Sequence, residues 1–460
     1  MPPLRPALHP FALACAVLLS GCASVAPDSG FGAVSEMTRE RIGQEARIVR
    51  TGADARALAE HIKAQLKQPL SADGAVGIAL LNHPGLQATY WDVGIAQADL
   101  VQATRLPNPG FGFSRTHGGG EVEIERSLTV DLVATLTMPL SRRLEQRRFE
   151  QARLTVAAAI EQHAAQTRRA WVEAVAARQA VDYARRVNAA AEASAELTQR
   201  MAQAGNASKL DLAREQAFYA ESSAALMRAG RDATAARERL TRLLGLWGQD
   251  ASFALPERLP DLPAAPAELH DIERQAMERR LDIQAARLDA KATAATLGLT
   301  RTTRFVNVFE LGYERNSETG KPSRRGYELS LELPLFDWGG ARIARAEAIY
   351  MQSLNKVAEA AINARSEARQ SYLAYRTNYD LARHYRDEVI PLRKKISDET
   401  LLRYNAMLAS TFELLADARE QAGAVNAYIE ALKDFWITQA ELDAALGGRI
   451  ATSKMKEHAQ

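Results

Sequence analysis

The chain has 460 residues, of which 47% are hydrophobic and 25% are charged, and its formal net charge is +2. This length and composition are those of a globular protein with two or three domains, and the balanced charge lacks the basic excess of a nucleic-acid-binding protein. Apart from a marginal N-terminal stretch, no apolar run reaches the roughly 18 residues that a membrane-spanning helix needs.

The first 21 residues, 1–21, have the pattern of a secretory signal peptide. Arg5 precedes the apolar run FALACAVLLSGCAS, which gives a basic region, a short apolar region and small residues before a cysteine. The sequence LSGC, ending at Cys22, resembles the lipobox of bacterial lipoproteins, whose cysteine is lipidated and becomes the mature N-terminus. We therefore predict a lipid on Cys22; a simple secretory signal with an incidental cysteine is the alternative. The other cysteine is Cys15, so the mature chain would have no disulfide.

The remaining chain contains a duplication with a period of roughly 200 residues. ALLNHPGLQA from Ala79 matches AMERRLDIQA from Ala276. Further matches pair Pro139-Leu140 with Pro334-Leu335, and Trp171 and Ala174 with Tyr372 and Tyr375. We predict an N-terminal extended or helical segment (22–75), a first repeat (76–250), a linker (251–266), a second repeat (267–447) and a tail (448–460). Each repeat is expected to contain a helix, two strands and a long helical hairpin.

Alternating apolar and polar residues predict strands with one apolar and one polar face. The clearest examples are SLTVDLVATLTMPL from Ser127 and YELSLELPL from Tyr327. A weaker strand is expected before each of them, in PGFGFSR from Pro109 and in FVNVFELGYER from Phe305. The sequence thus predicts four strands, near 106–140 and 304–336.

Two long helices are predicted to follow the strands. Residues 142–204 contain no proline, and 341–389 are similar, with a kink expected at Pro391. Positions spaced alternately four and three apart form a thin, alanine-rich seam in each helix: Ile160, Ala164, Thr167, Trp171 and Ala174, then Ala368, Tyr372, Tyr375, Tyr379 and Ala382. This is coiled-coil spacing. The seams suit helices packed side by side in a layer, with an ordinary helical bundle as the alternative.

Four strands cannot close a barrel in a membrane, because closure takes about eight or more and an open edge cannot face lipid. If these strands enter a membrane, several copies of the chain must share one barrel. Two copies would supply eight strands and three would supply twelve.

The lipobox, the tandem halves, the LPLFDWGGAR run from Leu333 and the breaks between the long helices together resemble the TolC-type outer membrane efflux proteins, roughly from Ala79 to Gly447. The resemblance implies a mainly α fold with a small β part. Three copies would form an α-barrel from their tandem helical hairpins and share a 12-stranded transmembrane β-barrel.

The same resemblance implies a lipid-anchored protein of the cell outer membrane with its helical tunnel in the periplasm. It would act as a passive exit duct of a tripartite efflux or type I secretion system, beside a periplasmic adaptor (membrane fusion) protein and an inner-membrane transporter. We expect no enzyme and no cofactor or metal, because no phosphate loop, zinc spacing or nucleophile elbow is present. The alternative is a periplasmic structural or adaptor-like coiled-coil lipoprotein without a pore. The sequence does not identify the cargo.

The first candidate site is the helix break in RMAQAGNASKLDLAREQ from Arg200. Gly205 can take the positive φ that ends a helix. Ser208 can cap the next helix, and Asp211 three residues later suits the positive end of the helix dipole. Capping alone would explain these residues without any further function.

The second break, in RYNAMLASTFELLADARE from Arg403, keeps Ser410 and Glu413 but has Met407 where the pattern has glycine. The resemblance places Tyr404 at the gate tyrosine of the family and Glu413 at an acidic position of the pore constriction. A ring of three Glu413 side chains would favour cations.

The resemblance also places Asp211 at an acidic position of the first tip. Adaptor contacts are expected at Gly205, Ser208 and Ser410. Ala409 and Ala416 stand where the family has a basic gate partner and a further acidic pore residue. We therefore expect a thinner gate network than the family pattern has.

Overall fold

The computed structural model describes residues 25–303, 308–332 and 335–449. The predicted signal peptide, the lipidation site Cys22, the start of the LPLFDWGGAR run and the tail after residue 449 lie outside the described residues. The fold is mainly helical with one small sheet, as predicted. The chain forms two compact units, which consist of Met1–Val34, Tyr90–Val156 and Asp282–Ala361, and of Ser35–Thr89, Ala157–Leu281 and Ile362–Gln460.

Apart from two additional helices at the start of the first half, the two halves of the described chain have the same order of elements. The first contains α1 (Gly32–Ile42), α2 (Gly52–Gln65), α3 (Ala72–Asn82), α4 (Pro84–Ala103), β1 (Gly110–Gly118), β2 (Glu121–Asp131), α5 (Leu132–Gln203) and α6 (Lys209–Leu244). After a 3₁₀ turn at Gly248–Ala251, the second contains α7 (Ile272–Arg279), α8 (Leu281–Thr303), β3 (Phe309–Glu318), β4 (Arg324–Leu331), α9 (Gly340–His384), a π-helical turn (Tyr385–Val389), α10 (Ile390–Asn405) and α11 (Thr411–Ala445). From α3 and from α7 onward, each half therefore runs through two helices, two strands and a long helical hairpin.

The four strands form one antiparallel sheet in the order β1-β2-β3-β4. One face is apolar: Phe111, Leu128, Tyr313 and Tyr327 are cross-strand neighbours in a single row. All four of these side chains are exposed. The other face is polar, with Ser114, Glu125, Asn316 and Arg324 in one row. The alternation in the sequence thus correctly predicted two faces of opposite character, and within the described chain β1 and β4 are the sheet edges.

The predicted strand from Ser127 to Leu140 is wrong beyond Asp131, where α5 begins instead. The Asp131 carboxylate accepts a hydrogen bond from the N–H of Ala134 at 2.9 Å, which is the bond of a helix N-cap. The hydroxyls of Thr135 and Thr137 donate to the carbonyls four residues earlier, at 2.6 and 2.7 Å. Because these threonines are satisfied on a helix, their alternation with apolar residues did not require a strand.

The helix from α9 into α10 is disturbed immediately before Pro391, where the sequence predicted a kink. Pro391 has no N–H and its ring crowds the carbonyl four residues earlier, that of Asp387. The ladder widens there to π spacing, and the N–H of Ile390 donates to the carbonyl of Tyr385. In contrast, α5 contains no proline after residue 140. It runs for 72 residues without a comparable π turn.

The predicted seams of α5 and α9 lie in the core of the unit that contains Ala157–Leu281. Every seam residue of α5 is at most 4% exposed, as are Ala368, Tyr375, Tyr379 and Ala382 of α9. Equivalent aromatic residues hold the segments before α3 and α7: the Trp171 Nε1 donates to the carbonyl of Leu70 at 2.7 Å, and the Tyr372 hydroxyl accepts from the N–H of Leu269 at 3.3 Å. Among the helices described, none is both long and apolar enough to cross a membrane.

Candidate functional site

The first tip, between α5 and α6, ends its helix in a Schellman motif. Gly205 has a φ of 79°, as the sequence predicted, in the left-handed region that favours glycine. The N–H of Asn206 donates to the carbonyl of Met201 at 2.8 Å, and that of Gly205 to Ala202 at 3.1 Å. These two bonds satisfy carbonyls that the helix end leaves without an intrahelical partner.

The second tip, between α10 and α11, has the same motif without the glycine. Met407 takes a φ of 61°. The N–H of Leu408 donates to the carbonyl of Arg403 at 2.8 Å, and the N–H of Met407 to Tyr404 at 2.9 Å. The departure from the family pattern at Met407 therefore leaves the backbone geometry intact, at the cost of a left-handed conformation in a residue with a Cβ atom.

The serines that follow both motifs are N-caps. Ser208 Oγ accepts from the N–H of Asp211 at 3.1 Å and also donates to its carboxylate at 2.6 Å. Ser410 and Glu413 form a capping box: Ser410 Oγ accepts from the N–H of Glu413 at 3.2 Å, and the Glu413 carboxylate accepts from the N–H of Ser410 at 2.9 Å. Each cap partner stands three residues after its serine, as the sequence indicated.

The structure joins each predicted site residue to its own tip. Asp211 pairs with Ser208 and lies 3.9 Å from Arg214, and Glu413 pairs with Ser410. Tyr404 contributes its carbonyl to the Schellman motif and is 37% exposed. Within the described residues, no hydrogen bond or ion pair links Asp211 to Tyr404 or Glu413. The residues matched to the family's gate are therefore not connected with one another inside one copy of the chain.

A different cluster, which the sequence does not predict, joins the two hairpins. Glu215 on α6 has a side chain only 3% exposed, and it is ion-paired with Arg419 on α11. Ser194 on α5 donates to the same carboxylate at 2.6 Å. The Arg419 guanidinium also lies over the Phe218 ring, 4.3 Å from its centroid. Both charged residues lie inside the two tip segments, but nothing in the sequence shows that residues 204 positions apart are partners.

The interior near this cluster is incompletely hydrogen-bonded. Among the described residues, Thr198 Oγ1, Asp417 Oδ2 and Arg419 Nε are buried polar atoms without a hydrogen-bond partner. An unsatisfied buried polar group costs about 1–3 kcal/mol. All three atoms belong to residues within four positions of Ser194 or Arg419, so they lie in the same part of the two hairpins as the cluster.

Two histidines pack together between α3 and α5, with ring centroids 4.5 Å apart. Burial lowers the pKa of both His83 and His163, and the neighbouring His83 lowers that of His163 further. His163 Nε2 lies 3.0 Å from the carbonyl of Leu243. Both rings are therefore neutral at neutral pH. Over the residues that the structure describes, no group of three or more His, Cys, Asp or Glu side chains could hold a metal ion.

The tandem helical hairpins and the four-stranded sheet are similar in fold to solved outer membrane channels. The outer membrane channel CmeC of Campylobacter jejuni matches with a TM-score of 0.69 at 15% identity, covering 88% of this chain and 89% of that one. The open state of the MtrE outer membrane channel of Neisseria gonorrhoeae matches with a TM-score of 0.68 at 19% identity, covering 82% and 89%. A membrane protein from Pseudomonas aeruginosa gives 0.68 at 21% identity, covering 82% and 93%.

Sequence comparison leads to the same family. Residues 273–448 match the model of the outer membrane efflux protein family. Protein CyaE of Bordetella pertussis is 29% identical over 297 residues, which is 59% of this chain and 61% of CyaE, so the match spans about three fifths of that relative. The expected resemblance is thus confirmed: residues 273–448 match the model of the outer membrane efflux protein family, and the fold is similar to that of the TolC-type channels.

Proposed function

We propose that this protein is the outer membrane exit duct of a tripartite efflux or type I secretion system and acts as a homotrimer. The observation that carries the proposal is the sheet, which has two edges within the chain and faces of opposite polarity. Unpaired edges are not tolerated in lipid. Three copies joined edge to edge would give twelve strands, an apolar surface toward lipid and a polar surface toward a water-filled lumen.

The helical hairpins would continue the lumen into the periplasm and end at the two tips. Exposed apolar side chains gather there: Leu210 is 58% exposed, Leu408 75% and Met407 94%. Because exposed apolar patches mark protein interaction sites, they support docking of a periplasmic adaptor, with the predicted contacts at Gly205, Ser208 and Ser410. An inner-membrane transporter would supply the energy, since the duct has no chemistry of its own.

The duct would open by small sliding of the packed helices at the tips. The Glu215–Arg419 pair joins the two hairpins there, so opening would have to change this contact. A lipid on Cys22 would add an anchor to the outer membrane, because one lipid group usually supplements a second membrane contact. We also propose the repeat boundaries predicted from the sequence, 76–250 and 267–447, as the limits of the two halves of the duct.

The test is to express the mature chain with Cys22→Ala behind a cleavable, non-lipidating signal. We expect a trimer that needs detergent for extraction and that conducts ions in a planar bilayer. Leu329→Arg on the apolar face should prevent insertion, because arginine facing lipid costs roughly 2–4 kcal/mol at mid-membrane. Glu328→Arg, on the neighbouring position of the polar face, is the matched control and should still insert. A soluble monomer without conductance would refute the proposal.

A further inference from the structure

A row of arginines crosses the apolar face of the sheet near its hairpin turns. Arg126 on β2 is the direct cross-strand neighbour of Arg315 on β3, and Arg315 is the direct neighbour of Arg325 on β4. Arg115 on β1 lies on the same face, one row closer to the turns, opposite Ile124. All four arginines are exposed. We call these four residues the arginine row.

The arginine row has no carboxylate on its own face. The register places every acidic residue of the four strands on the opposite, polar face: Glu121, Glu123, Glu125, Asp131, Glu310, Glu314, Glu318 and Glu328. Among the residues that the structure describes, the row makes one side-chain hydrogen bond, which Arg315 Nε donates to Ser323 Oγ at 3.2 Å. Like charges directly opposite one another destabilise a sheet. An anion from outside the chain would remove this repulsion.

The position of the row relative to the apolar band indicates where that anion comes from. The row adjacent to it on the side away from the turns holds Phe111, Leu128, Tyr313 and Tyr327. Tyr313 and Tyr327 contact each other edge to face, with centroids 5.7 Å apart. The next row is aliphatic, with Val130, Leu311 and Leu329. Aromatic girdles mark the interface of a membrane barrel, and two residues along a strand span about 7 Å, so the arginines lie at the edge of the apolar band. Phe113 is the β1 neighbour of Arg126, and on β2 Ile124 and Val122 continue the same face toward the turns.

We propose that the arginine row binds the phosphate groups of anionic lipid headgroups in the leaflet beside the hairpin turns. This inference rests on the proposed function, because the apolar face must be in a membrane for a headgroup to reach the row. Guanidinium groups bind phosphate oxygens in a bidentate manner. Neighbouring strands place three of them about 5 Å apart, which suits headgroups that carry more than one phosphate. In a closed trimer, Arg115 and Arg325 on the edge strands would extend the row across each junction between copies.

The experiment compares lipid retention by purified trimers in nanodiscs. Wild type, the triple variant Arg126→Gln/Arg315→Gln/Arg325→Gln and the control Arg324→Gln are each exchanged into phosphatidylcholine discs doped with diphosphoryl lipid A or with phosphatidylglycerol. Bound lipids are counted by native mass spectrometry. Arg324 is in the same strand on the polar face, so its replacement removes a charge without touching the row. We expect the triple variant to bind diphosphoryl lipid at least about tenfold more weakly, a loss of about 1.4 kcal/mol, while Arg324→Gln retains wild-type binding.

Separate outcomes distinguish this inference from the proposed function. If neither the wild type nor any variant forms a conducting trimer, the proposed function is wrong, and the inference that rests on it is wrong as well. If all three variants form conducting trimers and retain the same amount of lipid, the inference alone is wrong. Equal loss in Arg324→Gln would show a general charge effect, and competition by inorganic phosphate at low concentration would show a site for free anions; either result overturns lipid binding by the row.

Discussion

At the scale of single residues, the two tips show that one backbone motif can be built with different side chains. Gly205 could be recognised from the sequence because glycine commonly ends a helix in the left-handed conformation. Met407 could not, because few non-glycine residues adopt that conformation and its presence there follows from the Schellman bonds. The serine caps and their acidic partners were predictable, since they depend on spacing within four residues.

Replacing Met407 with glycine should strengthen the second tip. The left-handed conformation costs an L-residue roughly 1–2 kcal/mol. Glycine avoids this cost, but it loses more backbone entropy on folding, which offsets part of the gain. We expect the amide of Leu408 to exchange with deuterium about fivefold more slowly, which corresponds to about 1 kcal/mol. Met407→Ala removes the same side chain and keeps the strain, so it should show no such gain.

The reverse change at the first tip provides an independent check. A Cβ atom at Gly205 would meet no other atom within 4 Å, so Gly205→Ala adds only backbone strain. We expect faster exchange at Asn206 by a similar factor. The comparison is between Met407→Gly and Met407→Ala at the second tip, and between wild type and Gly205→Ala at the first. Equal exchange rates in both comparisons would show that the left-handed residue does not limit tip stability.

Glu413 has both a structural role and a proposed pore role, and one substitution separates them. Glu413→Gln keeps a side chain that can complete the capping box with Ser410 but removes the charge. If three Glu413 carboxylates line the constriction, this variant should lose cation selectivity, measured as the reversal potential across a bilayer in a salt gradient. Ser410→Ala breaks the cap, at a cost of about 1 kcal/mol, and should leave selectivity unchanged. If Glu413→Gln keeps wild-type cation selectivity, Glu413 has no role in the pore and acts only as a helix cap.

At the scale of elements, periodicity predicted the helices and the faces of the strands because both depend on local spacing. Sequence reasoning failed at Asp131, where an alternating pattern continues across the junction from β2 to α5 and the cap of Asp131 decides the boundary. The contact between the two hairpins also could not be predicted from the sequence. Glu215 and Arg419 look like ordinary surface charges in their own helices, and only the fold places them together.

The Glu215–Arg419 pair should respond to a double-mutant cycle as a buried ion pair does. Arg419→Met leaves a buried carboxylate without its partner and should destabilise the tip helices by roughly 3–5 kcal/mol. Glu215→Gln/Arg419→Met should recover most of this loss, because no buried charge is then left unpaired. Hydrogen exchange of the amides of α6 and α11 beside the pair reports the change.

The matched control is the more exposed pair Arg393–Glu420, whose side chains are 34% and 63% exposed. Breaking it with Arg393→Met should cost less than about 1 kcal/mol. The Arg419→Met variant should also open more readily than wild type in bilayer recordings if the pair holds the two hairpins in the closed packing. If the effects of Glu215→Gln and Arg419→Met simply add in the double variant, with no recovery of stability, the two charges act independently.

At the scale of the whole molecule, the sequence indicated that the chain is one part of a larger assembly, because four amphipathic strands are too few to close a barrel. The sheet supports this reasoning through its order, in which β1 and β4 lack a second partner within the described chain. The register between copies does not follow from one chain. It depends on how the edge strands of two copies align, which neither spacing nor composition specifies.

Cysteine pairs at the two edges should capture the assembly directly. With Cys22→Ala, the mature chain predicted from the sequence contains no native cysteine, so introduced thiols are the only ones present. Ser114→Cys on β1 is combined in turn with Arg324→Cys, Gly326→Cys or Glu328→Cys on β4, all on the polar face of the sheet. Testing three β4 positions covers the unknown register. At least one combination should form covalent dimers and trimers on mild oxidation in membranes, because adjacent copies would bring β4 of one beside β1 of the next.

The control pair lies in the middle of the sheet, where both partners belong to one chain. Ser127 on β2 is the direct neighbour of Glu314 on β3, so Ser127→Cys/Glu314→Cys should cross-link within single chains and remain monomeric on a non-reducing denaturing gel. Edge pairs that cross-link only within one chain would mean that the sheet closes on itself. Edge pairs that never cross-link, beside an efficient central pair, would mean that the edges do not meet between copies, and a shared trimeric barrel would then be excluded.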